Sequence, residues 1–170
     1  MTIIIEDGSI VENANSLATR AEAIAHALAY GITLTDDSTT DILLIKAMKY
    51  FVAIENQLKG YRVDRAQTLV YPRAGVKING FVWESDEIPT EAKTAQLELV
   101  LDLNEGVDLY NRQYSKGAVI EEAVDGAVSR KYADTSVKSV STNIIKTRGT
   151  EALKPLLKNV GLMSVELVRG

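Results

Sequence analysis

The sequence predicts a mainly α protein: a small helical bundle with a long structured loop and a C-terminal β-hairpin or arm. Three observations carry this. Apolar residues recur at helical spacing in three segments between residues 16 and 111. Residues 60–88 break that period with glycines, a proline and aromatics. Asp125-Gly126, a strong hairpin-turn dipeptide, sits between two β-compatible runs. At 170 residues and 46% apolar, the chain suffices for one domain, taken as 1–170.

The first helix is expected over Ser16–Tyr30, with Leu17, Ala21, Ile24 and Leu28 on one stripe and Gly31 as its stop. His26, the only histidine, falls opposite that stripe and should face water or a partner. The second helix should run from about Thr40 to Lys59, with N-cap candidates at 36–39 and Gly60 ending it. Its apolar rows are Leu44, Met48, Phe51 and Leu58; Ile45 and Val52; and Leu43, Ala47 and Ile54, which marks it as central. Glu55 lies inside the apolar arc, where an unpaired carboxylate is costly, so it should pair with Arg62, Arg65 or Arg73.

Residues 60–88 read as a long structured loop with β-like pieces at 68–71 and 81–83, and the aromatics Tyr61, Tyr71, Phe81 and Trp83 argue against disorder. Pro89 and Thr90 open a third helix that keeps Ala92, Ala95, Leu99, Leu103, Val107 and Tyr110 on one face to about residue 111. Glu91, Glu98, Asp102 and Glu105 line a separate face, either solvated or lining something. In the hairpin, spanning 117–133, a two-residue turn would pair Val124 with Ala127, Glu121 with Arg130 and Val119 with Tyr132. Residues 134–149 read as a linker, Pro155 begins a short helix, and MSVELVRG alternates like a strand, so that 150–170 forms a C-terminal tail.

Chemistry is harder to place. A net charge of −4 repels phosphate polymers, so DNA binding needs a local basic patch. Without cysteine there is no disulfide, thiolate metal site or thiol nucleophile. The lone histidine leaves no catalytic triad, and Gly75–Gly80 has P-loop spacing, but Phe81 and Val82 stand where Lys and Ser/Thr are needed. We therefore expect no enzyme activity, no cofactor and no metal. The start MTIIIEDG is no signal peptide and no apolar run approaches a membrane span, so the expectation is a soluble protein made in the cytoplasm. The stretch GYRVDRAQTLVYPRAG offers arginines and tyrosines that suit either single-stranded nucleic acid or a protein interface.

The order AMKYFVAIENQLKG, YRVDRAQTLVYPRAG, IPTEAKTAQLELVLDL resembles the head–tail connector (adaptor) proteins of tailed bacteriophages, in the branch labelled DnaT-like single-stranded DNA-binding protein. The resemblance covers about residues 39–105 and is carried by Ala47, Tyr50, Glu55, Leu58, Gly60 and Arg62, by Gln67-x-Leu69-x-Tyr71-Pro72-Arg73, and by Ile88, Pro89, Ala92 and Ala95. Leu58 stands where many members have tryptophan. The resemblance implies a virion structural protein at the neck: a homo-oligomeric ring, a dodecamer in the family, that docks on the portal protein and receives a downstream neck or tail protein. It would let genomic DNA pass without binding it specifically. Carried over, Arg62, Arg65, Tyr71, Pro72, Arg73 and Trp83 belong to an oligomer or neck interface loop, with Glu55, Arg62 and Arg73 as a structural ion pair. Glu91, Glu98, Asp102 and Glu105 would face the channel, and Leu162, Met163, Val165, Leu167 and Arg169 would form the portal-contacting tail. The alternative implied by the label is a single-stranded DNA-binding module. A third is an assembly or scaffolding factor absent from the finished particle.

Overall fold

A computed structural model describes residues 2–110, 119–125, 127–132 and 146–158. The fold is mainly α with small antiparallel β pairs. Its helices are α1 (Arg20–Ala29), α2 (Ser38–Ala53), α3 (Thr90–Asn104) and α4 (Arg148–Leu153). Residues 2–109 and 146–158 belong to one compact unit, and the strands β5 (Val119–Asp125) and β6 (Ala127–Tyr132) belong to a second.

Local chemistry sets the helix limits. Thr19 caps α1 in a reciprocal box with Glu22, and Asp37 caps α2 by accepting from the Thr39 N–H at 2.7 Å. Because the box starts α1 at Arg20, Leu17 enters the core from the bend before it and does not set the helix phase. The buried residues of α1 are therefore Ala23 and Ala27, while Ala21 is exposed and Leu28 is 59% exposed. The expected stripe is thus displaced. α2 ends at Ala53, and a 3₁₀ turn, Glu55–Gln57, leads to Gly60 at φ 70°.

α3, not α2, is the hub, since α1, α2 and α4 all pack on it. It buries Ala92, Ala95, Leu99, Val100 and Leu101 together with three polar side chains, Gln96, Glu98 and Asp102. Each fully buried leucine contributes about 1.5–3 kcal/mol. Gln96 organises the polar part of this core. Its carbonyl accepts from the Leu17 N–H at 2.9 Å, and its amide donates to Ser16 Oγ at 2.8 Å and to the Leu44 carbonyl at 3.1 Å. The apolar face of α3 fades beyond Leu99: Leu103 and Val107 are half-buried and Tyr110 is exposed, because the helix stops at Asn104 with Gly106 at φ 82°.

Two further differences concern the C-terminal part. α4 begins at Arg148, inside the stretch read as a linker, because Thr147 and Thr150 form a second reciprocal cap; Pro155 instead lies in the 3₁₀ turn Lys154–Leu156 that follows. The hairpin is present, but Asp125 pairs with Ala127, Val124 with Val128 and Glu122 with Arg130. That is a one-residue departure from the expected register, and an irregularity between Val119 and Glu121 restores Val119 opposite Tyr132. The expected tail residues Leu162, Met163, Val165, Leu167 and Arg169 lie outside the described residues.

Candidate functional site

The segment after α2 folds as two short antiparallel pairs, β1 (Tyr61–Arg62) with β2 (Arg73–Ala74), and β3 (Lys77–Ile78) with β4 (Phe81–Val82). The piece expected as a strand, 68–71, is not one. Gly60 makes the first pair possible: a Cβ there would lie 2.3 Å from the Ala74 carbonyl oxygen. Between the two strands Gln67, almost fully buried, staples the loop. Its carbonyl accepts from the N–H groups of Val63 and Asp64 at 2.9 and 3.1 Å, and its amide donates to the carbonyls of Leu69 and Pro72.

Glu55 lies between two arginines. Arg62 forks onto it, donating from Nε at 2.6 Å and from Nη2 at 2.8 Å, while Nη1 donates to the Gln67 backbone carbonyl at 2.7 Å. Arg73 approaches the same carboxylate at 3.4 Å and spends its other donors on the carbonyls of Lys59 (2.8 Å), Gly60 (2.9 Å) and Val70 (3.3 Å). The Arg62 fork, with Arg73 behind it, holds the Glu55 carboxyl below its ordinary range despite partial burial. The Tyr71-Pro72 bond is cis, and Tyr71 is fully buried with its ring edge-on to Phe51 at 6.3 Å. Burial pushes the Tyr71 hydroxyl up, and it has no hydrogen-bond partner among the described residues.

These facts revise the interface loop. Tyr71, Pro72 and Arg73 are buried within the chain, Trp83 is half-buried against the core, and Arg62 is half-buried on Glu55. Of the six residues assigned to an interface, Arg65 alone is exposed. The large apolar residues exposed here are instead Tyr61, Val63, Phe81 and Val82, the last two 75% and 70% exposed, beside exposed Arg65 and Lys77. Sequence reasoning took Tyr61 and Phe81 as signs of an ordered loop, with Tyr61 also a candidate for nucleic acid or a protein interface, and gave Val63 and Val82 no surface role.

The acidic stripe is revised too. Glu98 and Asp102 are 6% and 2% exposed and cannot line a channel, whereas Glu105 is exposed and Glu91 half-buried. The reason is that α1 and α4 cover this face of α3. Glu98 Oε1 accepts from the Tyr30 hydroxyl at 2.7 Å and meets His26 Nε2 at 3.0 Å, so His26 points inward rather than to solvent. The hydrogen bond to Glu98 pushes the Tyr30 hydroxyl up. Asp102 accepts from the Gly149 N–H at 2.8 Å, and Arg148 pairs with Glu105 while its guanidinium lies 5.7 Å from the centre of the Tyr30 ring.

Two polar anchors were missed by sequence reasoning. Glu6 is fully buried and its carboxylate accepts from the N–H groups of Gly8, Ile10 and Val11 at 2.9 to 3.0 Å. Arg20 forks onto buried Asp41 at 2.8 and 2.6 Å and reaches Asp36 at 3.2 Å. The nearby Asp-Gly and Asp-Asp dipeptides resemble ordinary loop chemistry and gave no signal.

Among the described residues no group of three or more His, Cys, Asp or Glu side chains is placed to hold a metal ion, and no helix is long and apolar enough to cross a membrane. Comparison with curated proteins and with solved structures yields no match. A family model does match, over residues 1–170, and its description is "Putative DnaT-like ssDNA binding protein". By that match across its whole length, the chain belongs to this DnaT-like family.

Proposed function

We propose that the chain is a non-enzymatic structural subunit: a head-to-tail adaptor that forms a homo-oligomeric ring on a phage portal protein and receives the next neck or tail component. The observation that carries this is where the arginines are spent. Of the five whose side chains are described, Arg20, Arg62, Arg73 and Arg148 are engaged by carboxylates or carbonyls of the same chain, and Arg65 is exposed. With a net charge of −4, and with Arg65 as the one uncommitted guanidinium among the described residues, the molecule is poorly equipped to fork onto a phosphate backbone, which suits a subunit that lets DNA slide. The motif resemblance over 39–105 supports the same reading. The test is to mix the purified chain with the portal protein and weigh the complex by light scattering. A ring on the portal supports the proposal, and a chain that stays monomeric beside the portal overturns it. Removal of residues 161–170, the tail assigned to the portal, should abolish binding and leave the fold intact.

A second reading is single-stranded DNA binding, and the family description favours it. Exposed Tyr61 and Phe81 with Arg65 and Lys77 supply aromatic faces and cations of the required types. Anisotropy of a labelled oligonucleotide separates the two. The adaptor should show no appreciable affinity at about 0.15 M salt, whereas a DNA binder should bind there and weaken steeply as salt rises. Micromolar binding lost in Tyr61→Ala or Arg65→Ala makes DNA binding the function.

A further inference from the structure

We propose that the outward face of α2 and the segment 81–87 are the two halves of one head-to-tail contact between copies of this chain. The inference rests on the homo-oligomeric reading above and names the surfaces that such an oligomer would use.

At 100° per residue, Ile42, Ile45, Lys46, Lys49, Val52 and Ala53 fall within an arc of about 120°, running some 16 Å along α2. The core residues Leu44, Ala47, Met48 and Phe51 occupy the opposite side. In this arc Ile42 and Val52 are 43% and 45% exposed, and Lys46 and Lys49 are exposed with no ion pair among the described residues. No acid falls within it, although acids outnumber bases in the chain by 23 to 19. An apolar stripe carrying two unmatched positive charges is what the fold leaves over after building its core.

The complementary feature is also present. Phe81 and Val82 are the most exposed large apolar residues described, and Glu84, Asp86 and Glu87 follow them, all exposed and without a cation partner among the described residues. This segment is held by the frame and is not a loose tip. Asn79 and Gly80 at φ 51° and 91° make the turn from Ile78 to Phe81, the Trp83 N–H donates to the Val76 carbonyl at 3.0 Å, and the Asp86 backbone lies where a Cβ on Gly8 would be. One patch is therefore apolar and positive, the other apolar and negative. Phe81 and Val82 would cover Ile42 and Val52 while the three acids face Lys46 and Lys49. Such matching of charge fixes register and rejects wrong partners. Because the two patches differ, the contact is heterologous, and repetition of it closes a ring or extends a filament.

The chain has no cysteine, so single introduced cysteines report unambiguously. Lys49→Cys and Asp86→Cys variants of the full chain are mixed and treated with a short bismaleimide. A cross-linked dimer is expected in the mixture and in neither variant alone. Light scattering of Lys46→Glu/Lys49→Glu should show assembly weakened at least about tenfold, with recovery when Glu84→Lys, Asp86→Lys and Glu87→Lys are added to the same chain. Circular dichroism shows that each variant is folded. A wild-type chain that assembles but neither cross-links in the mixture nor responds to the charge reversal overturns the pairing and leaves the oligomer standing. Cross-linking of either variant to itself overturns it in favour of a two-fold contact. A wild-type chain that stays monomeric both alone and beside the portal protein overturns both this inference and the oligomeric reading beneath it.

Discussion

Replacing Arg73 by leucine keeps the aliphatic stem in the core and removes the guanidinium. The structure fixes what is lost: hydrogen bonds to the Lys59 and Gly60 carbonyls at 2.8 and 2.9 Å, a longer one to Val70 at 3.3 Å, and the second cation beside Glu55. A hydrogen bond to a charged group contributes about 1.5–3 kcal/mol net, so the two short ones amount to about 3–6 kcal/mol. Gly60 is only half-buried, and water can replace part of what its carbonyl loses. The expected destabilisation is therefore about 3–4 kcal/mol. Urea unfolding followed by circular dichroism measures it, with Arg65→Leu as the exposed control expected within about 0.5 kcal/mol of wild type. A loss below about 1 kcal/mol for Arg73→Leu would refute the claim that this arginine holds the loop to the Glu55–Gly60 segment that follows α2.

Gln96→Leu should cost about 2–4 kcal/mol in the same assay, because the Leu17 N–H and the Leu44 carbonyl are left buried without their partner; a neutral outcome means that the core repacks around them. Gly149→Ala places a Cβ 2.6 Å from Leu99 Cδ2 and 2.7 Å from Asp102 Oδ2, so thermal unfolding should show a loss of about 1–3 kcal/mol, and no loss means that α4 can shift on α3. Glu55 is held below its ordinary value of 4.5 chiefly by Arg62, so the unfolded chain binds the proton more readily. Its stabilisation is present above that value and lost as pH falls through the lower folded one. Glu55→Gln should therefore flatten the acid side of the stability profile, and an unchanged slope below pH 4.5 would show that the pair contributes nothing to folding.

How much was legible in the sequence follows from the range over which each signal acts. Helix periodicity and the Asp-Gly turn are local, and they located α2, α3 and the β5–β6 hairpin, although α2 ends at Ala53, short of the expected stop at Gly60, because a 3₁₀ turn intervenes. Glu55 and Arg62 are only seven residues apart, close enough for an acid in an apolar arc to point to its cation. The register of the hairpin was off by one residue because a turn dipeptide does not state which of its members closes the ladder. The acidic face of α3 was misread for a different reason. Glu98 Oε1 is engaged by Tyr30 and His26 from 68 and 72 positions away, while its Oε2 is buried without a partner among the described residues, and Asp102 is engaged by Gly149 from 47. A helix with a second covering layer has the same local pattern as one with a solvated face, and only the path of the chain distinguishes them.

The same distinction governs what an arginine and tyrosine loop means. Residue types suited to gripping phosphates and stacking bases are equally suited to fixing a backbone, and composition is identical in the two cases. A guanidinium that already donates to Glu55 and to the Gln67 carbonyl, as Arg62 does, must give up those bonds before it can neutralise a phosphate. Arg73 would have to leave three carbonyls and emerge from the core. Each exchange replaces charge-assisted bonds with others of similar strength, so the net gain from DNA at these two positions is small. Tyr71 is closed off in the same way, edge-on to Phe51. The segment that looked most like a nucleic-acid grip thus has two of its three arginines already committed within the chain, with Arg65 left exposed. The surface left for recognition is the apolar one beside it, where Tyr61, Val63, Phe81 and Val82 are exposed, and apolar side chains held on a rigid frame gain more from burial against another protein than from contact with a hydrated phosphate chain.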